Sequence, residues 1–224
     1  MPEFSNDDYR VSTERHGRVF LIRMERPDKR NAVDAAMTAG LDAAFNELDD
    51  DPDLWCGVLS GGDDVFCAGT DLAAGPGAPT VRGGRYGVIS RRRTTPLVAA
   101  VEGSAYGGGF ELVLTCDIVV ASHSARFALP EVTHGVVANA GARFRGQPAL
   151  SPHLAKALLL TGRPFGPDRA QSVGLVHEVV AAGHAEEAAL ATAAQIAANS
   201  PVACKRHCGR WKQRCMTVMS VDGN

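Results

Sequence analysis

Twice in this chain a short apolar strand runs into a glycine turn. Trp55 to Leu59 leads into Ser60-Gly-Gly-Asp-Asp-Val-Phe-Cys-Ala-Gly-Thr-Asp71. Leu97 to Val101 leads into Glu102-Gly-Ser-Ala-Tyr-Gly-Gly-Gly-Phe-Glu-Leu112, where Phe110, Leu112, Val113 and Leu114 predict a buried helix opening at the glycines. Asp117 to Ala121 reads as a further strand. Strands and helices in alternation bury one another, so the fold class is α/β. The rest of the text agrees. Tyr9 to Glu14 and Arg18 to Met24 read as two strands joined at His16-Gly17. Met37, Leu41, Ala44, Phe45 and Leu48 recur at helical spacing behind an Asp34 N-cap. Beyond Pro152 the text is helical, and Ser200-Pro201 reads as the start of a last helix. Gly75 to Gly87, with five glycines and two prolines, reads as a mobile surface loop.

Other features exclude whole classes. Lys and Arg total 23 against 25 Asp and Glu in 224 residues, so net charge gives no reason to expect a nucleic-acid or membrane partner. No apolar run reaches the ~20 residues of a membrane span, and the polar start is no signal peptide. A cytoplasmic protein is expected. Gly107-Gly-Gly109 lacks the dinucleotide-binding spacing, no Walker loop is present, and Ser104 sits one place early for a nucleophile elbow.

Two features point toward chemistry. Glycine lets backbone approach a ligand closely. Two N–H donors from turns such as Phe66–Asp71 and Tyr106–Glu111 can converge on one oxygen and form an oxyanion hole. The alternative is two tight turns with nothing bound. In addition, Glu111 and Glu131 lie in apolar text, and an ionised glutamate is rarely buried unpaired. Two carboxyls in one dry pocket push one pKa upward, so that one holds a proton while the other is ionised. The plain alternatives are a helix-start glutamate at 111 and a surface glutamate at 131.

These residues resemble a known family. Glu25-Arg-Pro-Asp-Lys-Arg-Asn-Ala-Val33, Phe66-Cys-Ala-Gly-Thr-Asp-Leu72, Ala100-Val-Glu-Gly-Ser-Ala-Tyr-Gly-Gly-Gly-Phe-Glu-Leu112, Phe127-Ala-Leu-Pro-Glu-Val132, Leu160–Gly166 and Gly174–Val179 look like the successive motifs of the enoyl-CoA hydratase/isomerase, or crotonase, family. The resemblance runs from about Val11 to Cys204. It implies a crotonase-like spiral of ββα units over residues 1–183 and a C-terminal helical region over 184–224, shortened relative to the family and leaving a more open pocket. It also implies a homo-oligomer, a trimer or a dimer of trimers.

The implied substrate is an acyl-CoA thioester, with no metal or redox cofactor. By resemblance, the N–H groups of Ala68 and Gly108 hold the thioester oxygen. Ala68, Gly69, Thr70 and Asp71 lie against CoA. Glu111 orients and deprotonates water for attack at Cβ, and Glu131 protonates Cα. The implied reaction is reversible hydration of a 2-enoyl-CoA. Isomerisation is the alternative, as is the crotonobetainyl-CoA hydratase-like dehydration suggested by the wording of Gly135–Arg143. A non-catalytic acyl-CoA-binding subunit is a further alternative.

The remaining groups take plainer readings. Arg91-Arg-Arg93 reads as a solvated helix face, with CoA phosphates as the alternative partner. His134 reads as a loop histidine, with a place in the pocket lining three residues after Glu131 as the alternative, and Tyr86 and Tyr106 read as packing groups. Cys204, His207, Cys208 and Cys215 have poor zinc spacing. They read as incidental thiols on a basic helix carrying Lys205, Arg206, Arg210, Lys212 and Arg214.

Overall fold

The computed structural model describes residues 10–209. Strands β1 (Val11–His16) and β2 (Val19–Met24) form an antiparallel hairpin, with Gly17 at φ +62 in its turn. Strands β3 (Cys56–Ser60), β4 (Leu97–Val101), β6 (Ile118–Ser122) and β8 (Glu178–Val180) then add in parallel, giving a six-stranded sheet in the order β1-β2-β3-β4-β6-β8. Two three-residue strands, β5 (Ser104–Tyr106) and β7 (Arg126–Ala128), pair in parallel as a second small sheet. Single bridges Cys67↔Ala105 and Phe127↔Phe165 extend that ladder on either side. A long strand, a short strand and a helical segment thus recur as the chain climbs across the sheet, which is the ββα spiral.

The helices are α1 (Ala35–Asp50), α2 (Gly108–Val113), α3 (Ala142–Ala149), α4 (Pro152–Thr161), α5 (Pro167–Ser172) and α6 (Ala185–Ala197), followed by a helical stretch at 201–209. The Asp34 side chain caps α1 by accepting from Met37 N–H at 2.9 Å, as the sequence predicts.

Both faces of the large sheet are covered at β2, β3, β4 and β6, which explains why those strands read as near-continuous apolar runs. Phe20, Ile22, Leu59, Ala99 and Val101 face the core shared with α1 and α2. Val19, Leu21, Val58, Val98 and Val120 face Ala189 and Ala193 of α6. The α6 residues are small, so its backbone can pack close to the sheet. The start of α6 is also tied down: Glu102 Oε1 accepts from Gly183 N–H and Ala185 N–H at 2.9 and 3.0 Å. Helix α6 thus supplies one of the sheet's two covering layers.

Two other expectations change. The Gly75–Gly87 segment is pinned to α1 rather than loose: Thr38 Oγ1 donates to Pro76 O, and Thr80 Oγ1 to Asp42 Oδ1, both at 2.6 Å. Arg91 and Arg93 are buried, not solvated, and lie on no helix. Arg91 pairs with Asp42 at 2.7 Å and Asp49 at 2.9 Å, and Arg93 pairs with Asp117 at 2.8 Å. Both are structural cations whose charge is already matched, so CoA phosphates are not their partners.

No helix among the described residues is long and apolar enough to cross a membrane. Among the same residues, no three His, Cys, Asp or Glu side chains are grouped to hold a metal. Tyr9, Arg210, Lys212, Arg214 and Cys215 lie outside the described residues.

Candidate active site

The first glycine segment is built on residues 26–33. Asn31 adopts φ 54, a left-handed conformation that asparagine tolerates. Its amide donates to Gly61 O at 2.8 Å and Val65 O at 2.9 Å. Its carbonyl oxygen accepts from Arg26 N–H at 2.8 Å. The Arg26 guanidinium reaches Asp71 at 2.7 Å. Val33 N–H donates to Gly69 O at 2.8 Å, and Asp71 N–H donates to Val33 O at 3.0 Å, forming a one-residue parallel bridge opposite Thr70.

This scaffold decides which N–H groups are available. Ala68 N–H donates to Arg30 O at 2.9 Å, so it is engaged and cannot also serve as an oxyanion donor. The expectation for Ala68 is therefore corrected. In the bridge geometry the backbone of Thr70 faces the opposite way from its neighbours. Among the described residues, neither Thr70 N–H nor Gly108 N–H donates to a protein acceptor. The two turns touch: a Cβ placed on Gly69 would lie 3.0 Å from Gly108 N and 2.8 Å from Tyr106 O. A Cβ on Gly109 would strike Cys67 O at 2.1 Å. The glycines let two backbones meet at van der Waals distance and leave two N–H groups side by side.

Above these donors lies a cavity of about 310 Å³. Ala68, Gly69, Thr70, Gly108, Glu111 and Glu131 all line it, and Asp71 does not. The Asp71 carboxylate instead pairs with Arg26, and the Ala74 and Ala73 N–H groups that donate to it at 3.0 Å hold it below its usual pKa. It orders the turn rather than facing a ligand.

The two glutamates converge on the cavity from different elements. Glu111, in the first turn of α2, is 2% exposed. Burial pushes its pKa up to about 7, the Ala142 N–H bond at 2.8 Å opposes that rise, and the charge of Glu131 adds to it. Glu131 lies in a single 3-10 turn, Pro130–His134, and its Oε1 sits 3.2 Å from where a Cβ on Gly107 would be. Burial raises its pKa too, with His134 acting against. Its Oε2 is buried without a hydrogen-bond partner among the described residues. Two coupled carboxyls of this kind hold a proton between them near neutral pH and can pass it to and from a bound molecule.

His134 lines the cavity, the alternative reading of that residue. Sequence reading missed further lining groups. Val136, Val137 and Leu72 form an apolar rim, each 45% exposed or more. Arg85 and Asn139 add polar atoms. Tyr86 is packed, as expected, but its hydroxyl also lies 2.6 Å from Thr70 Oγ1. The only sequence cue was an aromatic residue set among glycines in Gly83-Gly-Arg-Tyr-Gly87.

Comparison with known proteins follows the same lines. A family model described as enoyl-CoA hydratase/isomerase matches residues 14–213. Enoyl-CoA hydratase EchA19 of Mycobacterium tuberculosis is 38% identical over 200 residues, covering 85% of this chain and 75% of that protein. Carnitinyl-CoA dehydratase of Proteus mirabilis is 37% identical over 194 residues, with 84% and 74% covered. The solved structure of a carnitinyl-CoA dehydratase from Mycobacterium avium 104 superposes with a TM-score of 0.85 at 42% identity, covering 89% of this chain and 80% of that one.

Proposed function

The chain belongs to the enoyl-CoA hydratase/isomerase family, and on that footing we propose that it adds water reversibly across the 2,3 double bond of an enoyl-CoA thioester. The observation that carries this reading is one cavity lined by two unengaged N–H donors and two carboxyls of raised pKa, Glu111 buried and Glu131 half-buried.

The thioester oxygen sits between Thr70 N–H and Gly108 N–H. As a nucleophile attacks Cβ, electron density moves to that oxygen, and the two fixed dipoles stabilise the enolate-like charge. One such donor contributes on the order of 10²–10³ in rate. Glu111 removes a proton from the attacking water, and Glu131 delivers one to Cα. The pair ends with the same number of protons, so the reverse dehydration runs through the same groups. The apolar rim of Leu72, Val136 and Val137 offers a surface for the acyl or pantetheine methylenes. CoA enters as part of the substrate, and the scheme calls on no metal or redox cofactor. A homo-oligomer remains part of the same reading on family resemblance alone, and a cytoplasmic location on the sequence expectation alone.

Incubation with crotonyl-CoA tests this directly: absorbance of the conjugated thioester falls as water adds. Binding of enoyl-CoA esters without any such loss, across a panel of acyl groups, would make the protein an acyl-CoA binder. A second reading, dehydration of a β-hydroxyacyl-CoA with a polar acyl group, is favoured by Arg85, His134 and Asn139 on the cavity wall. A β-hydroxyacyl-CoA panel separates it from simple crotonyl turnover.

A further inference from the structure

Tyr86 carries a hydrogen-bonding group at the cavity that the reaction above leaves unused. Among the described residues it is one of three non-glycine residues at positive φ, with φ 56 and ψ 14. That region is strained for a tyrosine and persists only where the surroundings enforce it. Here α1 enforces it: Gly87, at φ +74, packs so closely that a Cβ would lie 2.6 Å from Asp42 N and 2.7 Å from Thr38 O. The ring is 2% exposed, which fixes where the hydroxyl points.

The hydroxyl has a neighbour on each side. Thr70 Oγ1 lies 2.6 Å away, and a Cβ on Gly108 would come within 2.4 Å of the phenol oxygen. The phenol tip therefore lies between the two residues whose N–H groups face the cavity. Resting on the reading of this cavity as a thioester site, we propose that Tyr86 is a catalytic residue, the third hydrogen-bond donor to the thioester oxygen. The Thr70 hydroxyl donates to the phenol oxygen, and the phenol proton then points to the substrate. Burial keeps that phenol above its usual pKa, so it acts as a donor and not as an anion. A donor that strengthens as charge develops on the oxygen accelerates the chemical step more than it tightens binding. A packing role alone requires only the ring.

The experiment compares the wild-type chain with Tyr86→Phe, which keeps the ring, and with Thr70→Val, which keeps the backbone N–H. Each is loaded with butyryl-CoA carrying ¹³C at the thioester carbonyl, and infrared difference spectra locate that carbonyl band. Crotonyl-CoA turnover is measured in parallel. Wild type is expected to shift the band below its frequency in water. Tyr86→Phe recovers part of that shift and loses about 10–100-fold in kcat, with KM within about threefold. Thr70→Val shows a smaller change in the same direction. An unshifted difference between wild type and Tyr86→Phe, with equal kcat, overturns the proposal. Should Tyr86→Phe fail to fold, an unchanged band in Thr70→Val overturns it instead. Equal hydration by wild type and Tyr86→Phe removes the Tyr86 role but leaves the hydratase reading. A Tyr86-dependent band shift in a wild type that does not hydrate crotonyl-CoA removes the hydratase reading but leaves the Tyr86 role.

Discussion

The backbone N–H of Ala142 donates to Glu111 Oε1 over 2.8 Å and joins the start of α3 to the first turn of α2. The bond fixes a carboxyl that is otherwise costly to ionise there. Glu111 titrates near 4.5 in the unfolded chain and at about 7 in the folded one. Below the lower value it is protonated in both states and costs nothing extra. Between the two values the folded state loses ground as pH rises, by about 3 kcal/mol in all, since one pKa unit is about 1.4 kcal/mol. Glu111→Gln should therefore be more stable than wild type at pH 8, by up to that amount, and no more stable near pH 4.5. Urea unfolding midpoints at the two pH values check this. A variant less stable at pH 8 contradicts the raised pKa.

The pair of glutamates also shapes the pH–rate profile. The proposed hydration needs one proton shared between Glu111 and Glu131, so kcat/KM should fall on the alkaline side at or above about pH 7, where the pair gives up that proton. The charge of Glu131 helps raise Glu111, so in Glu131→Gln the titration of Glu111 should move to lower pH. Infrared titration of the carboxyl bands reads that shift, and an upward move would break the coupling argument.

Gly69 tests the contact between the two turns. Its φ is +97, and a Cβ there meets Tyr106 O and Gly108 N at 2.8 and 3.0 Å. Gly69→Ala should force the turns apart and lower kcat/KM by about 10²-fold, the loss typical of one misplaced oxyanion donor. Circular dichroism should show the fold retained. Near-normal turnover would mean that the N–H groups are not placed by this contact.

Arg91 tests a structural role against a binding one. Its guanidinium, with a side chain 3% exposed, lies between Asp42 and Asp49. Removing the guanidinium leaves Asp42 and Asp49, both half-buried, without their shared partner, so Arg91→Ala should cost about 3 kcal/mol of stability. KM for crotonyl-CoA should stay within about twofold at a temperature where the variant is folded. A large rise in KM with unchanged stability would return Arg91 to CoA binding.

How far the sequence discloses such a site depends on whether its signals are local. Strands β2, β3, β4 and β6 are legible because burial on two faces writes an apolar run. Helix α1 is legible from its stripe and its Asp34 cap. The second glycine turn and both glutamates stand out for the same local reason. Strands β5 and β7 are only three residues long, too short for an alternating pattern. Which N–H of Phe66–Asp71 faces the cavity depends on Arg30 O and on the Val33–Thr70 bridge, about 40 residues away in sequence. No local pattern distinguishes Ala68 from Thr70. Tyr86 is hidden for a related reason: its direction is set by packing of Gly87 on α1, not by its own neighbours in the chain.

The central claim is that two carboxyls in one cavity perform proton transfer on an enoyl-CoA. Glu131→Gln keeps the size and shape of the side chain and removes its acid–base function. Steady-state hydration of crotonyl-CoA by this variant, beside its affinity for butyryl-CoA, is the most direct test. The expected result is a fall in kcat of about 10²–10⁴-fold with affinity within about threefold. A Glu131→Gln protein that hydrates crotonyl-CoA at the wild-type rate would contradict the account.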